Sequence, residues 1–338
     1  MLKSNINVLS LFDGMSCGHL ALDKSGIEVG TYYASEVDKY AQVVSEANYP
    51  GIVRLGDVTL WQLWDIDWSS IDLVLAGSPC QGFSFAGKQL AFDDPRSALF
   101  FVFIDILNHV KTVNPRVKFL LENVRMKKEH LDVISDQLGV EPVNINSNLL
   151  SAQNRNRYYW ANWQFGKPDD KGVMLADVLE TGVVDKNKSY CIDANYWKGG
   201  NVEQYIKKAR RQLVFVLPPV PEWPAVAFTE RRTEEAKRIR KEYQALYGRD
   251  FSPRRAKQLE ARTDGKMNCL TATYSIKEHA LIDEKLYYRK LTPIECERLQ
   301  TVPDNYTNHV SNTQRYKMLG NGWTVDVIAH ILAGGNLG

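Results

Sequence analysis

Cysteine is scarce in this sequence, and the spacings typical of metal sites are missing. The 338 residues include 5 cysteines and 6 histidines, without any Cys-x-x-Cys pair. The cysteines are odd in number and scattered, which argues against a disulfide framework and a zinc site and favours a reducing compartment. We therefore expect a protein without a metal cofactor.

Long apolar runs are missing as well. No run approaches the roughly 18–20 apolar residues of a membrane-spanning helix. The first residues do not resemble a signal peptide, because the apolar run behind them has only strand length and carries Asp13. We expect no association with membranes. The length and the ordinary composition, with 44% hydrophobic and 24% charged residues, suit one large domain plus a smaller one.

Positive charge is unevenly distributed along the chain. Residues 171–290 hold 24 Lys and Arg against 16 Asp and Glu, although the whole chain has a formal net charge of only +2. A basic middle segment beside an acidic remainder suggests a polyanionic partner for that segment. A solvated helix surface explains the same charges about equally well.

Apolar runs of strand length alternate with helical patterns as far as residue 163. The pattern predicts strands over or near residues 6–11, 30–36, 52–55, 71–76, 117–121, 143–146 and 158–163, and helices over 38–48, 97–113 and 129–138. This alternation predicts a mostly parallel, doubly wound α/β sheet with helices on both faces. Ligands of such sheets bind at the carboxyl ends of the strands.

A turn of small residues follows the first predicted strand and reads FDGMSCG over residues 12–18. Such a turn between a strand and a helix lets backbone N–H groups approach a nucleotide-like ligand. Glu36 ends the second strand and Asp57 follows the third, where carboxylates can bind ribose hydroxyls and an adenine amino group. Each acid alone is more simply explained as a helix N-cap or turn residue. Together with the turn, the two acids favour a nucleoside site.

The same turn also matches the Gly-x-Ser-x-Gly elbow of α/β-hydrolases. Ser16 would then be the nucleophile, with His279, His309 or His330 as its base. We rank this alternative last, because that elbow normally lies deeper in its fold and no acid–histidine pair is evident at strand ends.

The stretch GSPCQGFS, residues 77–84, follows the fourth predicted strand. Proline and glycine hold such a loop in an unusual backbone shape, so Cys80 is placed for chemistry more than for packing. Polar residues also stand at the ends of neighbouring strands: Glu122 and Asn123 follow the fifth, and Arg155 and Arg157 precede the aromatic strand. Together, these polar and charged residues favour a catalytic role for the Cys80 thiol, which the loop alone does not indicate.

The alternation of strands and helices stops near residue 168. Proline and glycine become more frequent, a loop with aromatic and basic residues includes Lys198, and a charged helix is predicted over 229–247. We expect a first domain over residues 1–168, completed by a C-terminal helix within 318–338, and a smaller domain over 169–317, with approximate boundaries.

Taken in order, these motifs resemble those of the C5-cytosine-specific DNA methyltransferase family across nearly the whole chain. The resemblance rests on FDG at 12–14, Glu36, Asp57, PCQ at 79–81, ENV at 122–124, QNRNR at 153–157, RKLTP at 289–293 and GNG at 320–322. Residues 97–101, 157–160 and 322–325 are more similar to the phage-type and de novo-type branch. The resemblance implies a Rossmann-like, S-adenosylmethionine-dependent methyltransferase fold with a smaller target-recognition domain, acting on duplex DNA.

The resemblance also implies the chemistry. Cys80 would add to C6 of a cytosine flipped out of the duplex, Glu122 would supply a proton to N3, and Arg155 would hold the O2 carbonyl. Pro79, Asn123 and Arg157 would complete this site. The implied cofactor contacts are Phe12, Asp13, Gly14, Ser16, Glu36, Val37, Asp57, Val58, Leu99, Asn321 and Trp323. The implied DNA contacts are Gln81, Ser84, Lys198, Arg231, Arg232, Arg254, Arg255 and Lys257.

Two closer alternatives stay open: an RNA cytosine-5 methyltransferase of the same fold, and a relative that binds DNA without turnover. Gln81 weighs against the first, and the intact set of Cys80, Glu122 and Arg155 weighs against the second. We expect a monomeric enzyme in the cytoplasm of a prokaryotic or phage-infected cell, of the kind found in restriction–modification systems. We expect residues 82–96 to become ordered over the base when DNA binds.

Overall fold

The computed structural model describes residues 5–79, 98–200, 202–216, 228–249, 257–261 and 287–335. The strands are β1 (Ile6–Leu11), β2 (Val29–Ser35), β3 (Val53–Arg54), β4 (Leu73–Ala76), β5 (Lys118–Val124), β6 (Val143–Asn146), β7 (Asn156–Ala161), β8 (Leu213–Phe215), β9 (Phe228–Arg232), β10 (Lys257–Ala261) and β11 (Tyr288–Lys290). The α-helices are α1 (Cys17–Lys24), α2 (Lys39–Asn48), α3 (Ala98–Val113), α4 (Lys128–Leu138), α5 (Val202–Lys208), α6 (Glu234–Tyr247), α7 (Pro293–Leu299), α8 (Asn312–Asn321) and α9 (Val325–Ala333).

Within these residues, seven strands form one sheet in the order β3-β2-β1-β4-β5-β7-β6. The chain winds outward from β1 to β3 and returns to β4 beside β1, so the doubly wound α/β fold is confirmed. The strands from β3 to β5 are parallel, whereas β7 runs antiparallel to both β5 and β6. The carboxyl ends of β1 and β4 flank the topological switch point, where ligands of such sheets bind.

Side chains of the central strands alternate between two buried cores. Val8 and Leu75 point to the core that contains residues of α1 and α9. Leu9 and Val74 point to the other core, which contains residues of α3 and α4. Because both faces of the sheet are covered, each central strand is apolar along most of its length, which is why these strands could be recognised as short apolar runs.

The segment after β11 packs in the first of these cores. Leu291, Cys296 and Leu299 are fully buried there together with side chains of α1 and α9. Thr292 caps α7 in a reciprocal pair of hydrogen bonds with Glu295, which fixes where this helix begins. We therefore propose that the large domain resumes near Leu291, earlier than the boundary at residue 318 that the sequence suggested.

Between β7 and β11 the described elements are short, apart from the 14-residue helix α6. A separate small cluster contains Tyr205, Leu213 and Phe215, and β8 pairs with β11. The antiparallel pair of β9 and β10 lies in the segment with excess positive charge. No helix among the described residues is long and apolar enough to cross a bilayer.

A buried ion pair joins α7 to α8, and we expect its removal to be costly. The Glu297 side chain has no exposed surface and the Arg315 side chain only 7%, and Nη2 of Arg315 lies 3.0 Å from Oε1 of Glu297. Replacing Arg315 by methionine leaves the carboxylate buried without its cation, so the free energy of unfolding should fall by about 3–5 kcal/mol. Urea denaturation followed by circular dichroism measures this decrease.

Lys317 is a matched control on the same helix. Its ammonium lies 2.7 Å from Oδ2 of Asp38, but both side chains are partly exposed. An exposed pair contributes about 0–1 kcal/mol, so Lys317→Met should change stability little. Equal decreases in the two variants would show that burial of the Glu297 pair has no special effect.

Candidate active site

Glu122 is at the centre of the candidate site, near the carboxyl end of β5. Its carboxyl oxygen Oε1 lies 3.0 Å from Nε of Arg157, which is on the antiparallel strand β7. Arg157 pairs in register with Val124, two residues beyond Glu122, so the two charged side chains are diagonal neighbours on one face of the sheet. Glu122 is 9% exposed, and the pairing offsets the cost of placing its charge there.

The other carboxyl oxygen of Glu122 accepts a hydrogen bond from a tryptophan. Nε1 of Trp323 lies 3.2 Å from Oε2 of Glu122. Trp323 belongs to the short connection between α8 and α9, so this bond joins the C-terminal part of the chain to β5. The sequence predicted Trp323 as a cofactor contact and gave no signal for its bond to the carboxylate.

The loop after β4 reaches the same place. Nδ2 of Asn123 lies 3.3 Å from Oγ of Ser78, so the residue next to Glu122 holds the loop two residues before Cys80. Pro79 is the last described residue of this loop. Cys80, Gln81 and Ser84 lie outside the described residues, as do residues 82–96, whose ordering on DNA therefore stays a prediction. Ser78 was not predicted, although its place beside Pro79 was an available signal.

Arg155 has a different environment from the one expected. Arg155 is 3% exposed, and its guanidinium donates to the main-chain carbonyls of Ile192, Gly320 and Gly322, with the Nη2–O distance to Gly322 at 2.9 Å. A side chain held by these carbonyls is not presented to a base. The structure thus gives the contact with Glu122 to Arg157, and Arg155 supports the chain before α9.

Gln300 supports the same segment before α9. Its Nε2 donates to the carbonyls of Leu319 and Gly322, at 2.6 and 3.1 Å. Sequence reasoning missed this residue, because a glutamine at a helix end carries no recognisable pattern.

The turn after β1 is built around a buried carboxylate. Asp13 accepts hydrogen bonds from the hydroxyls of Ser16, at 2.5 Å, and Tyr32, at 2.7 Å. Burial raises the pKa of Asp13, and hydrogen bonds from Ser10, Ser16 and Tyr32 partly offset that rise. Both side chains are committed inside the fold, so the predicted cofactor contacts of Asp13 and Ser16 would have to come from their main chain.

This arrangement is also inconsistent with the hydrolase alternative. The hydroxyl of Ser16 has no exposed surface and bonds to Asp13 and Ser45, and no histidine in the described part of the chain is hydrogen-bonded to it. His330 contacts the carbonyl of Gly166 instead, and His279 lies outside the described residues. A serine nucleophile of that kind needs a histidine base within hydrogen-bond reach, and Ser16 is bonded to none there.

The main chain of the same turn is bonded to the end of β2. The amide of Gly14 donates to Oε2 of Glu36 at 2.8 Å, and the amides of Val37 and Asp38 donate to Oε1. Burial raises the pKa of Glu36, against the lowering effect of these three N–H groups. Val37 beside it is an apolar side chain that is 69% exposed, which suits a flat apolar ligand.

Asp57 caps a helix, which is the simpler of the two roles that the sequence left open for it. Its Oδ1 accepts hydrogen bonds from the amide and hydroxyl of Thr59 and so caps the 3₁₀ helix Val58–Leu63. Asp57 remains exposed at the end of β3, so a capping residue and a ligand contact are compatible in one side chain.

The remaining predicted cofactor residues lie at the same edge of the sheet. Phe12 has φ of 59° and Gly14 φ of 61°, both in the left-handed region that only glycine adopts freely, so the turn is strained at Phe12. A Cβ added to Gly14 would meet no atom within 4 Å, which leaves space beside the turn. Val58 is buried, Leu99 is half-buried near the start of α3, and Asn321 is exposed at the end of α8.

The predicted DNA contacts are only partly described. Lys198 is exposed, with its ammonium 5.4 Å from the centre of the Trp197 ring. Arg231 and Arg232 lie on β9, and Arg232 pairs in register with Lys257 on β10. Arg254 and Arg255 lie outside the described residues. Among the described residues, no group of three or more His, Cys, Asp or Glu side chains is placed to hold a metal ion.

These features define the class of the protein. A doubly wound sheet carries a tight turn after β1 and, after β4, a loop whose Ser78 is bonded to the residue next to a paired glutamate, an arrangement that suits a methyltransferase. A family model for C-5 cytosine-specific DNA methylase matches residues 6–334. The chain belongs to this family of DNA methyltransferases, and the predicted family and enzyme class are confirmed.

Known sequences agree with this assignment along the whole chain. Type II methyltransferase M.HhaI of Haemophilus parahaemolyticus is 29% identical over 349 residues, covering 97% of this chain and 93% of that protein. Type II methyltransferase M.HpaII of Haemophilus parainfluenzae is 28% identical over 354 residues, covering 97% and 88%. The resemblance to the phage-type and de novo-type branch stays a prediction.

Known structures show the same fold. EhMeth of Entamoeba histolytica superposes with a TM-score of 0.63 at 15% identity, covering 98% of this chain and 97% of the other. A DNMT2 of Spodoptera frugiperda gives a TM-score of 0.58 at 20% identity, covering 97% and 98%. The methyltransferase fold predicted from the sequence is therefore confirmed.

Proposed function

We propose that this protein transfers a methyl group from S-adenosylmethionine to C5 of a cytosine flipped out of duplex DNA, with Cys80 as the nucleophile. The observation that carries the proposal is the Glu122 carboxylate, held by Arg157 and Trp323 and joined through Asn123 to the loop that leads to Cys80. The family match and the Type II methyltransferases similar to this chain support DNA as the substrate, in preference to RNA.

The turn after β1 and the ends of β2 and β3 fit the cofactor. Glu36 would hold the ribose, and Asp57 would accept from the adenine amino group. Val37 and Val58 would flank the adenine ring, and Phe12, Gly14, Leu99 and Asn321 would complete the pocket. S-adenosylmethionine, when bound, supplies an electrophilic methyl group. The exposed apolar surface of Val37 and the open space beside Gly14 support this fit.

The protein's own groups prepare the base for the reaction. C5 of cytosine is a poor nucleophile, and addition of the Cys80 thiolate at C6 turns the ring into an enamine-like species that is far more reactive at C5. Electron density moves toward N3 as the thiolate adds, and a proton from Glu122 neutralises it. After C5 takes the methyl group, loss of the C5 proton to solvent or a base and breaking of the C6–Sγ bond release the thiolate and restore the aromatic ring. Among the described residues, Arg157 is the cation that pairs with Glu122, so we assign to it the contact with the base that the sequence suggested for Arg155.

A base inside a duplex cannot reach the end of β4, so the target nucleotide must leave the stack. The basic segment would hold the phosphates while the base is out. On the β9–β10 pair, Arg232 and Lys257 are directly opposite each other. The pair thus brings two basic positions together in the segment with excess positive charge.

A methyl-transfer assay tests the proposal. Purified protein, duplex DNA and S-adenosylmethionine with a tritiated methyl group should give labelled DNA whose digestion yields 5-methylcytosine. Label that appears in RNA and not in DNA would favour an RNA methyltransferase. DNA binding without any transfer would favour a non-catalytic relative. We expect a monomer acting in the cytoplasm, without a metal, so a chelator should not change the rate.

Removal of charge from the basic segment should weaken DNA binding in a salt-dependent manner. Changing Arg254, Arg255 and Lys257 together to glutamine removes up to three cations that would neutralise phosphates. The slope of log K against log salt concentration should then fall in magnitude by about 0.9 for each phosphate that the variant no longer neutralises. Fluorescence anisotropy with a labelled duplex at several salt concentrations measures the slope.

Arg116→Gln is the control for this measurement. Arg116 is exposed just before β5, at the amino end of the strand and thus at the edge of the sheet opposite the site. Its replacement should leave the slope unchanged. A slope that is equally unchanged in the triple variant would remove these three residues from the DNA interface.

A further inference from the structure

We infer that Trp323 is a positioning residue for Glu122: its indole N–H fixes the orientation of the carboxyl group that protonates the base. The inference rests on the proposed function and adds to it a role for a residue predicted only as a cofactor contact. Oε2 of Glu122 accepts from Trp323 at 3.2 Å, while Oε1 is 3.0 Å from Nε of Arg157. Each oxygen therefore has its own donor, and the plane of the carboxyl group is set by both.

The indole reaches Glu122 only because a glycine is beside it. A Cβ added to Gly77 would lie 2.9 Å from Nε1 of Trp323 and 3.2 Å from Cζ2. The first distance is one that real Cβ atoms essentially never show, so any larger residue at 77 would push the indole away. A Cβ on Gly18, at the start of α1, would lie 3.5 Å from Cζ3 of Trp323. The ring thus lies between two glycines, with its N–H directed at the carboxylate.

The main chain of Trp323 is held as firmly as its ring. The carbonyl of Gly322 accepts from Arg155 at 2.9 Å and from Gln300 at 3.1 Å. The amide of Trp323 itself donates to the thiol of Cys17, which partly offsets the burial that raises the pKa of Cys17 to about 12. These contacts explain why Arg155 is buried against carbonyls, since it supports the residue that orients Glu122.

This geometry has a kinetic consequence. A glutamate side chain has three rotatable bonds, and one ion pair does not fix the rotation of its carboxyl group. A tryptophan side chain has only two and is packed on both sides, so its hydrogen bond orients Glu122 without a large entropic cost. Removal of the N–H should slow the protonation of the base, which affects kcat, and should leave the binding of S-adenosylmethionine unchanged.

The variant Trp323→Phe tests this inference, because phenylalanine keeps an aromatic ring and has no N–H. We expect kcat for methyl transfer to fall about tenfold, with KM for S-adenosylmethionine within about twofold of wild type. Trp163→Phe is the matched control. Nε1 of Trp163 donates to the carbonyl of Ile331 at 3.0 Å, away from Glu122, so kcat should not change.

A double-mutant cycle separates positioning from a merely structural role. If Trp323 acts through Glu122, Trp323→Phe should cost much less in a Glu122→Gln background than in wild type. Gly77→Ala tests the same contact, because the added methyl group pushes the indole of Trp323 away from Glu122. It should lower kcat in the wild-type background and have a smaller effect when residue 323 is already phenylalanine.

Three results would overturn the inference: an unchanged kcat in Trp323→Phe, an effect confined to KM for S-adenosylmethionine, or the same fall in kcat in both backgrounds of the cycle. An active wild-type enzyme with any of these results leaves the proposed function intact. A wild-type protein that transfers no methyl group to DNA overturns both.

Discussion

Replacing Cys80 by alanine should abolish methyl transfer while DNA binding persists. Without the thiolate no bond forms at C6, and C5 stays too weak a nucleophile to react. By analogy with other removed nucleophiles, the rate should fall by at least about 10⁴-fold. Transfer of tritium from labelled S-adenosylmethionine to duplex DNA measures the rate, and anisotropy with the same duplex measures binding.

Cys296→Ala is the control for removal of a thiol. Cys296 is fully buried in α7, and burial raises its pKa well above the usual value, so it stays an unreactive thiol. This variant should keep its activity. Transfer by the Cys80→Ala protein at the wild-type rate would show that another group reacts.

Replacing Glu122 by glutamine should have the second largest effect. Glutamine keeps the shape of the side chain and an oxygen for Arg157, but it has no acidic proton for N3 of the base. Removal of a general acid costs about 10²–10⁴-fold in rate, so kcat should fall within that range. Single-turnover transfer at saturating DNA isolates this step from binding.

Glu129→Gln is the matched control for this substitution. Glu129 is in the first turn of α4, shortly after β5, and its side chain is 66% exposed. Its change should leave kcat within about twofold of wild type, because an exposed ion pair contributes little. A Glu122→Gln protein as fast as this control would exclude Glu122 as the acid.

The large domain could be predicted from the sequence because its strands are buried on both faces. The runs over 6–11 and 71–76 are apolar throughout most of their length and end before polar or small residues, so both the strands and their carboxyl ends could be recognised. The reversal of β7 could not, since a run of apolar and aromatic residues has no direction. Helix α8 was missed because its sequence, NTQRYKMLGN, is mostly polar and buries residues such as Arg315 through a specific ion pair.

The candidate site could be predicted as a set of residues but not as a set of contacts. Glu36, Asp57 and Glu122 all lie at the edge of the sheet where the sequence placed them. The two arginines could not be told apart, because they are only two residues apart in sequence. β7 begins at Asn156, so Arg157 is on the strand and faces Glu122, whereas Arg155 precedes it and turns to the carbonyls near Gly322.

The bond from Trp323 to Glu122 shows why such contacts are hidden in a sequence. The two residues are 201 positions apart, and their meeting depends on Gly77, a third residue from another strand end. No local pattern records that a glycine leaves room for a distant ring. Position along the chain therefore indicated that Trp323 lies near the site, and the fold was needed to show what it contacts.

Bisulfite sequencing of DNA from cells that express the protein is the most direct test of Cys80-dependent methylation at C5. Cytosines methylated at C5 resist conversion. Expression of the wild-type chain should leave unconverted cytosines in one short sequence context, and expression of the Cys80→Ala chain should leave none. Complete conversion with the wild-type chain, or the same protected sites with both chains, would contradict the assignment of Cys80 as the nucleophile.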